Sequence, residues 1–271
     1  MSTATVSIAT ICFDGFGDED FHRTFTHAKQ VGVRQIEFNA WYARNLTPAG
    51  LDSIVSRCRE HDLTPASLQI SPFAPGPDAP DVARETARWM WLLEAAERLG
   101  VRVIKATGSG RGQRGGLERL IDLLALIGPV AEQRNLTISV ENHFNNVIEH
   151  PQDYRDLFDA VQTPAVGMCL DTGHFLASGH DLVAIVEEFA GRIVQVDLKD
   201  CAAPGAATFV RFGAGAVDFD AVLSRILTTG FDGYVVIELP LIEEDTMLAD
   251  LRAGAEIAAR YLPLSDSDLE R

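Results

Sequence analysis

Lysine is almost missing from this chain: among 23 basic residues only Lys29, Lys105 and Lys199 are lysines, a skew that reads as genome composition and not as chemistry. Acidic residues number 39, so the formal net charge is −16. Such a surface repels phosphate backbones and anionic lipid, which removes nucleic acid and membrane surfaces from the expected partners. Cysteine is scarce. Cys12, Cys58, Cys169 and Cys201 stand far apart with no CxxC pair, so neither a zinc knuckle nor a redox motif is offered, and reduced, buried thiols are the expectation. No apolar run approaches the roughly 18 residues of a membrane span, and the opening MSTATVSIATICF lacks the basic stretch of a secretory signal. The expected location is therefore cytoplasmic. A glycine-rich phosphate turn is missing as well, since DGFGDED after Phe13 is no dinucleotide fingerprint, and this weighs against a doubly wound open sheet.

What is present is an alternation. Short β-branched runs fall at Val6 to Phe13, Arg34 to Asn39, Pro65 to Ser71, Arg102 to Thr107, Thr137 to His143, Val166 to Thr172, Ile193 to Lys199 and Tyr234 to Leu239. Amphipathic stretches follow each, at 21–31, 48–61, 81–99, 116–134, 151–161, 180–190, 218–229 and 245–261. Eight strand-helix pairs in 271 residues leave about 34 residues per unit, enough for one strand, one helix and two loops. The pattern predicts an α/β fold, a single-domain (β/α)8 TIM barrel over residues 1–262, with a polar tail over 263–271.

Alternate residues of a barrel strand face inward, so strand parity sorts the candidates. In the fifth run Thr137, Ser139, Glu141 and His143 face in; in the sixth, Gly167, Cys169 and Asp171; in the seventh, Gln195, Asp197 and Lys199; in the eighth, Tyr234, Val236 and Glu238. Four successive strands each send one carboxylate, Glu141, Asp171, Asp197 and Glu238, to the C-terminal end where barrel active sites form. Four converging carboxylates repel one another unless they share protons or bind a cation, and a divalent metal is the simpler answer.

With these residues in view, the chain resembles the sugar phosphate isomerase/epimerase superfamily of xylose-isomerase-like barrels, which includes ketose 3-epimerases, inosose dehydratases and type IV apurinic endonucleases. SVENH (139–143), CLDTGH (169–174), VDLKD (196–200), FGAGAVDF (212–219) and GYVVIELP (233–240) carry the likeness in order and spacing. It implies a mononuclear metal site, Mn²⁺ first with Mg²⁺ or Co²⁺ as alternatives, held by Glu141, Asp171, Glu238 and a strand-seven His. At that last position the family's HxHxKD is replaced, with Asp197 where the ligand His would stand and Gln195 at the other His. Asp197 is expected to bind the ion directly, with Gln195 as the alternative fourth ligand and Asp197 then paired with Lys199, and an anionic oxygen there shifts preference from zinc towards Mn²⁺ or Mg²⁺.

The same resemblance implies that Glu141 and Glu238 act as acid and base around a cis-enediolate, with His174 on a substrate oxygen. His143 reads as a general base or a pocket wall. Trp41, with Phe13, Phe16, Tyr42 and Phe73, stands where aromatic faces could cover a sugar, although core packing suits Phe13 better. Arg111 and Arg114, in the glycine-rich GSGRGQRGG after the fourth run, and Arg211, before Gly213-Ala214-Gly215, are candidate substrate contacts, and Lys199 is another.

The expected function is a metal-dependent sugar isomerase or epimerase on a small-molecule substrate. A dehydratase or lyase on a keto-sugar, keto-inositol or 3-oxo-glycoside is the alternative. A non-catalytic sugar-binding barrel and Schiff-base chemistry on Lys199 or Lys105 are readings of other kinds. A homo-oligomer is allowed. A nuclease of the apurinic-site type needs more histidines on strand ends than the seven in this chain supply.

Overall fold

Eight parallel strands close on themselves: Thr5–Ala9, Gln35–Asn39, Thr64–Gln69, Val103–Thr107, Thr137–Glu141, Val166–Asp171, Ile193–Leu198 and Tyr234–Ile237. They are called the first to the eighth strand below. The structure is a computed structural model, and it describes residues 4–239 and 245–264. The predicted TIM barrel is the fold observed, and the first strand pairs with both the eighth and the second to complete the ring. Most of the predicted polar tail, residues 265–271, lies outside the described residues, as does Pro240 of the eighth-strand motif. Among the described residues no helix is long and apolar enough to cross a membrane, and Cys12, Cys58, Cys169 and Cys201 are buried free thiols.

Local signals explain the helix limits. Pro48 opens helix Pro48–His61 and the Thr47 hydroxyl accepts the Gly50 N–H, so one otherwise orphaned donor is satisfied at the start. Asp181 and Asp218 cap helices Leu182–Phe189 and Phe219–Leu227 in the same way. Apolar faces of these helices bury Leu51, Ile54, Ile185, Val186, Val222 and Leu223 against the outward residues of the strands, Ile36, Val140, Val196 and Val235 among them.

Two boundaries depart most from expectation. The first strand ends at Ala9 instead of running to Phe13, because Thr10 and the backbone of Ile11 turn onto the Asn39 side chain and a short helix, Ile11–Asp14, follows. Phe13 is thereby core, 4% exposed. The expected 180–190 helix is preceded by a separate one, Thr172–Ala177, whose Asp171 cap accepts the His174 N–H at 2.8 Å. A small antiparallel ribbon, Asp200–Cys201 with Phe209–Val210, rises beyond the seventh strand and overhangs the mouth of the barrel.

Candidate active site

Parity works as read: Glu141, Asp171, Asp197 and Glu238 all reach the interior and are at most 3% exposed, while Val140, Leu170, Val196 and Ile237 face the helices. Each of the four carboxylates offers an oxygen within 4.8 Å of the others, and Glu141, Asp171 and His174 form a second such set. These are candidate metal donors. A fifth carboxylate joins them from the second strand. Glu37 is fully buried, and its oxygens meet Lys105 at 2.6 Å, Ser67 at 2.7 Å and Gln195 at 2.7 Å. The same parity argument applied to Gln35-Ile36-Glu37-Phe38-Asn39 finds it, because Ile36 and Phe38 must face the helices.

The cluster holds two internal cations against its five carboxylates, because both inward lysines lie inside it, and burial still pushes the Asp171 carboxyl up and that of Asp197 up to about 7. Lys105, from the fourth strand, donates to Asp197 at 2.5 Å and Glu238 at 2.9 Å. Lys199 donates to Asp171 at 2.6 Å and Glu238 at 2.7 Å. Two of the chain's three lysines thus sit at one focus. Burial alone would lower both lysine pKa values, yet the surrounding carboxylates outweigh it and raise them well above the ordinary value. Burial likewise opposes ionisation of Glu238, but Lys105 and Lys199 overcome it and hold that carboxyl below the usual range. Glu141 has neither lysine in hydrogen-bond contact. It accepts one bond from Gln69 at 3.2 Å, and burial keeps its pKa well above the carboxylate norm.

A metal ion fits these residues poorly as they stand. All the oxygens of Asp171, Asp197 and Glu238 already accept hydrogen bonds, four from the two ammonium groups, one from the His174 N–H and one from the Gln195 amide. An ion bound to those oxygens would have two positive charges beside it. The four carboxylates expected to hold an ion do gather as a candidate donor set, with both internal ammonium groups already inside it.

Above the cluster lies a cavity of about 680 Å³. Its floor carries Glu141, Glu238, Lys199, His143 and His174, and its walls include Phe16, Trp41, Phe73 and Phe209. Trp41 stacks on Phe16 at 3.8 Å, which makes one broad apolar face. Tyr42 turns outward under Arg44 and does not line the cavity.

The two floor histidines hold opposite tautomers. His143 Nδ1 lies 2.9 Å from the Phe144 carbonyl, which can only accept, so the proton is on Nδ1 and Nε2 carries a lone pair. His174 Nδ1 accepts the Phe144 N–H at 3.2 Å, so its proton is on Nε2. Burial lowers the pKa of both, with Lys199 adding to the effect, and they stay neutral at physiological pH. Their rings lie 3.8 Å apart.

Two of the expected substrate contacts are elsewhere. Arg211 is an exposed side chain that pairs with Asp250 at 3.5 Å, away from the cavity lining. The glycines after it serve the fold: Gly213, Gly215 and Val217 N–H groups converge on the Asp200 carboxylate, and a Cβ on Gly215 would fall 2.2 Å from an Asp200 oxygen. Arg111 is a pin and not a free clamp. Its guanidinium makes paired bonds to Asp153 at 2.9 and 3.2 Å and a third to the Asn146 carbonyl, while backbone bonds of Arg111 and Val147 tie the loop to the segment after the fifth strand. Neutralising it is expected to speed hydrogen exchange across residues 109–116 and to change KM equally for neutral and anionic substrates. A selective loss of anionic substrate binding would restore the clamp reading. Arg114 does not line the cavity, whereas Ser109, Gly110 and Gln113 of the same loop do.

A parallel eight-stranded barrel with its ionisable groups gathered beneath a cavity at the C-terminal mouth belongs to the class of barrels that carry their sites on the strand ends. Residues 25–262 match the xylose isomerase-like TIM barrel family, and the chain belongs to that family. Among curated relatives it is similar to the inosose dehydratase of Geobacillus thermodenitrificans, 26% identical over 159 residues that cover 53% of this chain and 52% of that protein. The inosose dehydratase of Clostridium beijerinckii is 24% identical over 159 residues, with the same coverage. This chain spans about half the length of the curated relatives it matches. Solved structures with the same fold include IolI with a bound zinc atom, at TM-score 0.76 and 19% identity, covering 95% of this chain and 99% of that one. D-psicose 3-epimerase of Clostridium cellulolyticum H10 is another, at TM-score 0.80 and 15% identity over 95% and 99%.

Proposed function

We propose that the protein is an enzyme that moves a proton at the carbon next to the carbonyl of a small polyhydroxylated ketone, the step shared by sugar isomerases, epimerases and keto-polyol dehydratases. The observation that carries this reading is the floor of the cavity, where Glu141 shares one surface with Lys199, His143 and His174. A ketone oxygen placed between the Lys199 ammonium and His174 Nε2–H meets two donors, so negative charge developing on it is stabilised. Glu141, whose buried carboxyl holds a proton more tightly than usual, is matched to take and return the proton of the neighbouring carbon. His143 Nε2, with its lone pair, serves a substrate hydroxyl. Phe16 and Trp41 cover the apolar side of the ring, and the volume suits a sugar-sized molecule.

In this reading Glu238 is the anion that fixes both lysines instead of a second base, since each of its oxygens already accepts an ammonium N–H. The Mn²⁺ expectation enters no step of it. The reading is tested by proton NMR in heavy water with candidate ketoses and keto-inositols. Deuterium entering the position next to the carbonyl is expected, and no exchange with any of them rejects the reading.

A dehydratase outcome is the second reading, and the inosose dehydratases among the similar proteins favour it. One carboxylate suffices for it: Glu141 takes the carbon-bound proton, the electron pair forms the C=C bond, the β C–O bond breaks, and the same proton leaves with the hydroxide as water. Inversion at carbon needs proton donors on two faces. Release of water from the exchanging ketone identifies elimination, and an isomeric product of the same composition identifies isomerisation.

A further inference from the structure

The positive charge at the base of the cavity comes from the chain itself. We propose that the ammonium groups of Lys105 and Lys199 take the place of a divalent ion, Lys105 as the positioning residue that holds Asp197 and Glu238, and Lys199 as the catalytic cation that meets the ketone oxygen.

Three features built into the barrel converge on this arrangement. The first is a matched pair of residues. Where the resemblance puts a neutral ligand His, this chain has Asp197, and Asp197 accepts the shortest of the Lys105 contacts, 2.5 Å with both side chains 0% exposed. A carboxylate at this distance can carry negative charge towards a buried ammonium, and a neutral imidazole cannot.

The second is room. Lys105 pairs in register with Ser139 on one side and Gln69 on the other, and Ser7 and Ser67 are further small inward residues. Branched apolar side chains usually fill these layers, so the serines leave space for a lysine stem to cross the barrel. Lys199 has its own space: a Cβ on Gly173 would fall 2.7 Å from the Lys199 Cγ, so only glycine lets the stem pass along helix Thr172–Ala177.

The third is occupancy of the donors. Lys105 and Lys199 bind four of the six oxygens of Asp171, Asp197 and Glu238, and protein N–H groups bind the other two. Two unit charges on fixed stems thus supply the charge of one dication. Lys199 lines the cavity and Lys105 does not, which divides the roles. In the reaction the C–H bond next to the carbonyl breaks, its proton passes to Glu141, and its electron pair shifts so that the ketone oxygen becomes an enolate oxygen held by Lys199. The part given to Lys199 rests on the proton-transfer reading, whereas exclusion of the ion rests on the charge arrangement alone.

Metal analysis of the wild-type protein, with calorimetric titration by Mn²⁺ and Zn²⁺, tests the proposal. The expected result is no stoichiometric ion and no binding at the cluster. Lys105→Met combined with Asp197→His should gain a full equivalent of Zn²⁺, with affinity raised at least about 100-fold once the adjacent ammonium is removed and a nitrogen donor restored. A full equivalent of divalent metal in the wild type overturns the proposal, as does a double variant that binds no better than wild type. If the double variant does not fold, the wild-type metal content decides. Deuterium exchange that survives chelation by EDTA supports the proposal. Exchange that needs added Mn²⁺ overturns it and leaves the proton-transfer reading standing. Absence of exchange under both conditions rejects that reading, while metal content still decides on the ion.

Discussion

Glu141→Gln should cut deuterium exchange next to the substrate carbonyl by about 10²- to 10⁴-fold, the usual contribution of a positioned acid-base group. The fold should be unaffected for a physical reason. Burial already makes ionisation of this carboxyl costly, so an isosteric neutral amide adds no desolvation cost, and its oxygen can still accept the Gln69 N–H that Glu141 accepts at 3.2 Å. The measurement is single-turnover exchange by NMR, with urea unfolding as the control on stability. Exchange within a few-fold of wild type would place the proton carrier elsewhere, with His143 the next group on the cavity floor.

Lys105→Met should be the most destabilising single substitution in the barrel interior. The lysine is fully buried and is shared by Glu37, Asp197 and Glu238, at 2.6, 2.5 and 2.9 Å. Removing it leaves buried carboxylates facing one another with Lys199 as the remaining ammonium contact of the cluster among the described residues. Breaking a buried pair by deleting one partner costs about 3–5 kcal/mol, a large share of the roughly 5–15 kcal/mol that holds a domain together. Adding Asp197→Asn to Lys105→Met should return part of that loss, because it removes one of the stranded charges. A double-mutant cycle by urea denaturation reads the coupling directly. If the single substitution cost less than about 1 kcal/mol, the charges would be reorganising around protons or water and the lysine would not be their anchor.

The barrel was legible because its signal is repeated. Eight alternations of a period-2 run with a 3.6-period stretch admit few closures, and each strand was found within a few residues of its observed limits. Ends were least legible where side chains decide them. Nothing local in Ile11-Cys12-Phe13 says helix, and the turn there depends on Asn39, 28 residues away in sequence, accepting the Ile11 N–H. Glu37 is as legible as Glu141, since its strand alternates as plainly as the fifth. Arg111 and Arg211 illustrate the opposite failure. A basic residue in a glycine-rich loop resembles a substrate clamp, but its partner is set by the packing of distant elements, here Asp153 for Arg111 and Asp250 for Arg211.

The sequence by itself determined which faces are buried and therefore which carboxylates meet: parity along a strand is a local property, and closure of the barrel brings equal depths together. It could not determine how those charges are balanced. That depends on where two long, flexible lysine stems end, and Lys105 and Lys199 start on strands that are not neighbours in the barrel, the fourth and the edge of the seventh. Only the closed ring puts both ammonium groups on Glu238, 133 and 39 residues away along the chain. Inside a low-dielectric interior that placement holds Glu238 ionised against its burial, because charges under three ångströms away outweigh desolvation there, while burial leads the shifts of Glu141, His143 and His174.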